Sequence, residues 1–346
     1  MQDFSKHLIT WYLKNKRDLP WRNTVDPYKI WLSEIMLQQT RVAQGLPYYL
    51  KFVTEFPSVN HLAEASEEQV LKLWQGLGYY SRARNLHATA KHVTYVLGSL
   101  FPDNYTELKK LKGVGDYTAS AIASICYNEP KAVLDGNVFR VLARLYGIDS
   151  PINTPEGGKL FSKLSQELID IKRPDIHNQA IMEFGATHCT PKKPKCETCV
   201  FNDKCVALKN DEVGILPVKL KKIKVKKRFF NYLVPIASNG TTMLCKRAEK
   251  GIWANLYEFP LIETEGAIEY DELLGKVAQK ELLAEPFSLS MYNEKEIVHK
   301  LSHQHIYTRF WIVTTDEKLK PAIPVSEIDD YPVPVLIANF INEFSF

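Results

Sequence analysis

From residue 4 to about residue 208, apolar side chains recur at spacings of three and four in short stretches such as 30–42, 70–77 and 119–127. That period places them on one face of a helix. Pro57-Ser, Gly98-Ser, Pro102-Asp-Asn and Asn128-Glu-Pro interrupt the pattern where helices should end. Residues 209–228 lose the period: Gly214 and Pro217 are followed by Ile223 and Val225 alternating with Lys222, Lys224 and Lys226, which suits an extended path. Past 229 the texture changes again. Residues 229–237 read as a strand, Asn239-Gly240 as a hairpin turn and 241–245 as the returning strand. Residues 271–284 read as a helix, 296–300 and 305–314 as strands joined through Ser302-His303-Gln304, and 334–344 as a closing helix. The expectation is a multidomain chain: an all-α domain over 1–208, a connector over 209–228 and an α+β domain over 229–346.

With 346 residues, 45% of them hydrophobic and 24% charged, the chain can bury two or three ordinary cores. No uninterrupted apolar run approaches the ~20 residues of a membrane helix. The start, Met1-Gln-Asp-Phe-Ser-Lys-His, lacks a charged-then-apolar leader pattern, so a cytoplasmic protein, nucleoid-associated in a bacterium, is expected. The net charge of +4 says little about partners, but residues 219–228 hold seven Lys or Arg and no acid. Such a run suits a polyanion or a solvated linker.

Four of the six cysteines crowd together as Cys189-x6-Cys196-x2-Cys199-x5-Cys205. Clustering of this kind points to metal rather than disulfides. Four thiolates suit a [4Fe–4S] cluster; structural zinc usually takes two Cys-x2-Cys pairs, and only one is present here. Lys192, Lys193, Lys195 and Lys204 surround the cluster and could clamp phosphate. Cys126 and Cys245 stand alone in apolar contexts and read as small buried residues.

Leu111-Lys-Gly-Val-Gly-Asp-Tyr-Thr-Ala119 lies between two helical stretches. Gly113 and Gly115 are expected to permit backbone angles closed to other residues and to expose N–H groups at the next helix start, where a phosphate is favoured. An ordinary helix–helix turn is the alternative. Two carboxylates stand out. Glu34, in Trp31-Leu-Ser-Glu-Ile-Met-Leu-Gln-Gln-Thr40, sits among apolar residues on a helix; burial would raise its pKa and keep it protonated. Leu37, Gln38 and Arg41 follow on roughly the same face. Asp135, in Ala132-Val-Leu-Asp-Gly-Asn-Val138, reads most simply as an N-cap. Glycosidic cleavage uses such a pair, one acid for the leaving group and one carboxylate for the cationic sugar.

Jointly, Leu19-Pro-Trp-Arg22, Trp31 to Thr40, Gly76-Leu-Gly-Tyr-Tyr80, the hairpin, Leu134-Asp-Gly-Asn137 and the four cysteines resemble A/G-specific adenine DNA glycosylases of the MutY type. These lie in the helix-hairpin-helix superfamily that also holds endonuclease III. The resemblance covers residues 4 to 208 and implies a two-lobed helical domain with a [4Fe–4S] loop and double-stranded DNA as partner. It implies that Glu34 protonates adenine, that Asp135 stabilises the oxocarbenium ion with support from Asn137, and that Tyr117 lines the pocket. Arg17, Trp21, Arg22 and Gln179 would surround the extruded adenine. Leu37, Gln38, Gln39, Thr40 and Tyr79 would meet the opened duplex, Gln39 and Tyr79 as wedges in the base stack. Gly113 and Gly115 would hold the backbone, and Cys189, Cys196, Cys199 and Cys205 the cluster.

Tyr117 stands where endonuclease III-like enzymes carry a Schiff-base Lys; Tyr cannot form an imine, which favours hydrolysis without strand cleavage by a monofunctional enzyme, and a monomer is expected. Some family members carry a Lys four residues after the catalytic Asp; here it is Phe139. Residues 229–346 resemble the family's Nudix-like domain, with Leu301-Ser302-His303 matching a Phe-Ser-His loop that senses 8-oxoguanine opposite adenine. No acidic metal-binding Nudix helix occurs in 251–273, so phosphatase activity is not expected. A lyase for oxidised pyrimidines, a non-catalytic iron–sulfur DNA-binding protein and a Nudix hydrolase are the rival readings.

Overall fold

The computed structural model describes residues 2–220, 225–248, 251–279 and 286–346, and these fall into two compact units. The first comprises residues 1–64 and 85–221; the second comprises residues 65–84 and 222–346. The described part of the basic run is thus 219–220 and 225–228, and Ile223 lies outside the described residues.

Helices build the first unit: α1 (Gln2–Asn15), α2 (Pro27–Leu37), α3 (Val42–Glu55), α4 (Val59–Glu64), then, after α5 (Glu67–Leu73) of the second unit, most of α6 (Ser81–Tyr95). They continue with α7 (Tyr105–Leu108), α8 (Asp116–Tyr127), α9 (Gly136–Tyr146), α10 (Pro155–Leu168), α11 (Pro174–Thr187) and α12 (Val206–Lys209). Local signals set several of the ends. Asp26 caps α2, accepting from the Tyr28 N–H at 3.0 Å, with Pro27 in the first turn. Asn128 and Gly147 end α8 and α9 in left-handed conformations. The α9 face carrying Val138, Val141, Leu142 and Leu145 packs with Leu8, Trp11, Phe161 and Phe184 into one core.

The second unit carries α5 and the described strands. β1 (Lys226–Ala237) runs parallel to β8 (Gln304–Thr315) along its whole length and antiparallel to β5 (Leu261–Thr264). β2 (Thr241–Thr242) and β9 (Ile323–Pro324) extend the sheet beyond β1, while β6 (Phe287–Met291) and β7 (Ile297–Lys300) both pair with β8. β3 (Cys245–Lys246) and β4 (Tyr257–Glu258) make a separate ribbon. Helices α13 (Tyr270–Gln279) and α14 (Val335–Glu343) complete the described part. Leu233, Ile262, Trp311 and Val313 form a core with Leu273 and Val277 of α13, and Phe340 of α14 stacks on Phe310 at 4.1 Å.

The expected hairpin after Asn239-Gly240 is shorter than its sequence pattern. Only Ile236 and Thr242 pair, and Cys245 pairs with Glu258 instead. Pro235 has no N–H to continue the ladder, so the returning chain leaves the edge there. Residues 65–84, read as part of the helical region, group with 222–346. Among the described residues no helix is long and apolar enough to cross a membrane.

Candidate active site

Glu34 lies on α2 and is 7% exposed. It lines a cavity of the first unit with Asp135 and Asn137 at the head of α9, Tyr117 of α8 and Gln179 of α11. Burial pushes the Glu34 carboxyl up to about 7, an effect opposed by the Tyr117 hydrogen bond and reinforced by the charge of Asp135. The Tyr117 hydroxyl sits 3.1 Å from Met182 Sδ, and its hydrogen bond with Glu34 favours the ionised carboxyl, with the phenol as donor. Burial also pushes the Tyr117 phenol far up, and it stays neutral.

Asp135 is the N-cap of α9. Its Oδ1 accepts from the N–H groups of Asn137 at 2.9 Å and Val138 at 2.8 Å, and its Oδ2 accepts from Asn137 Nδ2 at 2.7 Å. Burial raises its pKa; those hydrogen bonds and the nearby Arg140 act against the rise. Asn137 is itself held, since Arg140 Nη2 donates to its Oδ1 at 2.9 Å. The two carboxyls therefore differ in kind: Glu34 has apolar surroundings and one phenol, whereas Asp135 has three donors at a helix N-terminus.

Arg17, Trp21 and Arg22 line the same cavity, as do Leu37 and Thr40. Both arginines are anchored by Glu183 of α11, which is 1% exposed. Arg17 Nη2 and Arg22 Nη2 each reach Glu183 Oε2 at 2.6 Å. Burial alone would raise the Glu183 carboxyl, but hydrogen bonds from Arg17 and Arg22 pull it down to about 2. The sequence reading passed over Glu183. Its signal was the one that flagged Glu34: an acid among apolar residues, here Ala180-Ile-Met-Glu-Phe184, four residues after Gln179. Gln179 accepts from the Tyr12 hydroxyl at 3.1 Å.

The remaining expected residues lie elsewhere. Helix α2 stops at Leu37, so Gln38 and Arg41 do not continue its face. Gln38 caps that end and donates to Thr118 Oγ1 at 3.3 Å, and Arg41 begins α3. Gln39 is exposed with φ of 57°. Tyr79 belongs to the second unit, 52% exposed with φ of 48°. Ser302 and His303 are exposed at the β7–β8 turn, which Leu301 closes by donating its N–H to Gln304 O at 2.8 Å.

The hairpin joins α7 to α8. Gly113 has φ of +80°, and a Cβ there would stand 2.9 Å from Asn85 Cβ. Gly115 departs from expectation: with φ of −93° and ψ of −176° it is an extended N-cap that other residues can adopt. Its lack of a side chain leaves the first N–H groups of α8 uncovered, and nothing lies within 4 Å of where its Cβ would be.

Cys189, Cys196, Cys199 and Cys205 line one small pocket of the same unit. Four thiols lining one pocket are the ligand set of an iron–sulfur cluster. N–H donors already face the sulfurs: Phe201 N lies 3.4 Å from Cys199 Sγ, and Arg144 Nη1 lies 3.5 Å from Cys189 Sγ. Arg144 also ties the loop down by donating to Thr190 O at 2.8 Å, Pro191 O at 3.3 Å and Leu216 O at 3.1 Å. Lys192, Lys193 and Lys195 are exposed, but Lys204 is ion-paired with Asp3 and so is partly spent as a phosphate contact.

Known proteins sharpen this picture. Residues 32–166 match the HhH-GPD superfamily base excision DNA repair protein family, 231–343 the NUDIX domain, and 189–205 the iron–sulfur binding domain of endonuclease III. The chain is similar to an adenine DNA glycosylase of Buchnera aphidicola, 34% identical over 90% of this chain and 86% of that protein. A mouse adenine DNA glycosylase is 44% identical over 62% of this chain and 43% of its own length. A solved thermostable thymine-DNA glycosylase superposes with a TM-score of 0.56 at 29% identity, covering 60% of this chain and 96% of that one. The two-domain expectation of a helix-hairpin-helix fold followed by a Nudix-like fold thus holds, and residues 189–205 carry a [4Fe–4S] cluster.

Proposed function

The chain belongs to the adenine DNA glycosylase family of base-excision repair, and from that premise we propose that it removes adenine paired with 8-oxoguanine or guanine in duplex DNA. The observation that carries this reading is one cavity lined by Glu34, which burial raises to about 7, and by Asp135, whose burial is countered by three hydrogen bonds at the head of α9. The third carboxyl of the cavity, Glu183, is taken up by Arg17 and Arg22. The adenine leaves the stack and enters this cavity, since its glycosidic bond is out of reach inside the duplex. Arg17, Trp21, Arg22 and Gln179 border it, with Glu183 fixing the two arginines.

Glu34 gives its proton to the adenine ring as the bond between C1′ and N9 breaks, and adenine departs neutral. The sugar is left as an oxocarbenium ion, which the Asp135 carboxylate stabilises while Asn137 holds that carboxylate in place. Water then adds at C1′ and its proton passes to the Glu34 carboxylate, which restores the starting protonation. Tyr117 cannot form an imine, so the strand stays intact. Cys189, Cys196, Cys199 and Cys205 ligate the cluster, whose part is to hold the basic loop of residues 192–195 in shape. Ser302 and His303 read the oxidised guanine from a domain formed by residues 229–346.

The test is single-turnover cleavage of duplexes carrying adenine opposite 8-oxoguanine, guanine, thymine or cytosine, with and without alkali. Alkali-dependent breaks, fastest opposite 8-oxoguanine and slowest opposite thymine, are expected. Strand breaks without alkali would replace hydrolysis with lyase chemistry.

A further inference from the structure

The turn after α5 is built to present Tyr79. Gly76, Gly78 and Tyr79 have φ of 93°, 77° and 48°, so three of four consecutive residues are left-handed, the last with an aromatic side chain that is 52% exposed. A buried cation backs the ring. The Arg82 guanidinium lies 5.5 Å from the Tyr79 ring and 5.2 Å from the Trp74 ring, and it donates to Gly78 O at 3.0 Å. The strained turn and Arg82 thus hold a half-exposed aromatic ring in one pose.

The same turn is fastened to the chain just before α14. Val333 N–H donates to Gln75 Oε1 at 3.1 Å. The buried Tyr80 hydroxyl bridges the two segments, accepting from Gly76 N–H at 3.3 Å and donating to Val333 O at 3.4 Å. Helix α5 is anchored in parallel, with Glu68 accepting from Lys246 Nζ at 2.9 Å and from the Tyr257 hydroxyl at 2.8 Å. Residues more than 250 positions apart thus fix the pose of Tyr79.

We propose that Gln75 and Tyr80, locked to Val333, are positioning residues that aim Tyr79 as the wedge which opens the duplex, so that the segment 331–334 contributes to base extrusion. This rests on the reading of Tyr79 as a wedge. A base stacked on an aromatic ring is worth about 1–3 kcal/mol, or roughly 5- to 150-fold in an equilibrium. Losing the aim without losing the ring forfeits part of that.

The experiment uses the full chain on a duplex with 8-oxoguanine opposite adenine for rates, and opposite 2-aminopurine for unstacking by fluorescence. Tyr79→Ala is expected to lower both the single-turnover rate and the fluorescence rise by about tenfold or more. Gln75→Met is expected to lower both by roughly 3- to 10-fold, the range of one lost hydrogen bond, and Tyr80→Phe, which loses two, by at least as much. Gln75→Glu, which keeps an acceptor for Val333 N–H, is expected to restore both to within about twofold. In the Tyr79→Ala background, Gln75→Met should cost nothing further, whereas a general loss of folding would add to it. A parental rate for Tyr79→Ala would overturn the wedge reading and the proposal with it. A slow Tyr79→Ala combined with a silent or fully additive Gln75→Met would overturn the positioning role alone.

Discussion

Two carboxyls lying among apolar residues, Glu34 and Glu183, show how far single residues can be read before a fold is known. Each is an acid among apolar residues and each is buried, though only Glu34 stands out from the sequence; their environments then diverge. Glu183 meets two guanidinium groups and is held down to about 2, while Glu34 meets a phenol and is raised to about 7. The sequence exposed the cost at Glu34 but not the partners of either acid; Arg17 and Arg22 reach Glu183 across more than 160 residues. If Glu34 must deliver a proton, activity belongs to its protonated form. The single-turnover rate should be flat below about pH 6 and fall about tenfold per unit once well above pH 7. Stability should follow the same preference for low pH. The folded carboxyl binds its proton more tightly than the ordinary value of 4.5 allows, so its contribution to stability declines as pH rises from there and is lowest above about 7. Glu34→Gln should therefore abolish most activity, yet raise stability at pH 8 by something on the order of 3 kcal/mol and by almost nothing at pH 4. Thermal midpoints at the two pH values decide this; an equal change at both would mean that Glu34 is not held protonated by burial. Asp135→Asn separates two roles in another way. Asn caps helices as well as Asp does, so folding should survive while charge stabilisation of the sugar is lost. A cleavage rate within about tenfold of the parent would leave Asp135 as a cap alone.

At the scale of elements, the hairpin and the cysteine loop were legible because their residues are close in sequence. What period and composition could not reveal was which glycine carries the strain. Gly113 needs its left-handed φ and has Asn85 close by, whereas Gly115 needs only to be small. Gly113→Ala should thus cost stability, by roughly 1 kcal/mol or more. Gly115→Ala should leave the melting temperature within a degree or so and weaken DNA binding instead, since its methyl would stand over the N–H groups proposed to hold phosphate. Paired thermal and binding titrations test this, and the expectation fails if Gly115→Ala binds DNA like the parent. The loop of residues 189–205 depends on Arg144, which is 3% exposed and spends its donors on Thr190, Pro191 and Leu216. Arg144→Met leaves those carbonyls unmet, a loss of about 1–3 kcal/mol at the buried Leu216 carbonyl and less at Thr190 and Pro191. Iron content and visible absorbance per chain should fall with it, and full iron occupancy would show that the thiols suffice. Strand lengths were less legible, because Pro235 ends the β1–β2 pairing at a position that a turn signal alone does not report.

For the whole molecule, the sequence separated a helical part from an α+β part, but residues 65–84 look helical by period while their contacts lie with 222–346. No local pattern could show this, since the bonds from Glu68 to Lys246 and from Gln75 to Val333 span 178 and 258 positions. The grouping changes how lesion reading should be tested. Cutting the chain at residue 228 strips the partners of Gln75 and Tyr80 together with the Ser302-His303 turn, so a uniform loss of activity would not distinguish them. A point change in the turn does. The Ser302 hydroxyl is exposed at the tip between β7 and β8, 3.4 Å from His303 Nδ1, and the turn is closed by Leu301 and Gln304. 8-Oxoguanine carries a proton on N7 where guanine carries a lone pair, so a hydroxyl oxygen can accept from the first and must turn to donate to the second. Ser302→Ala should lower the affinity and single-turnover rate for adenine opposite 8-oxoguanine by about 5- to 100-fold, the reach of a 1–3 kcal/mol contact, and change those opposite guanine by less than about threefold. Because the turn lies outside the Gln75–Val333 and Tyr80–Val333 contacts, 2-aminopurine unstacking opposite guanine should stay at the parental level. Equal losses on both duplexes would leave Ser302 as a general DNA contact and remove the sensor reading of the turn.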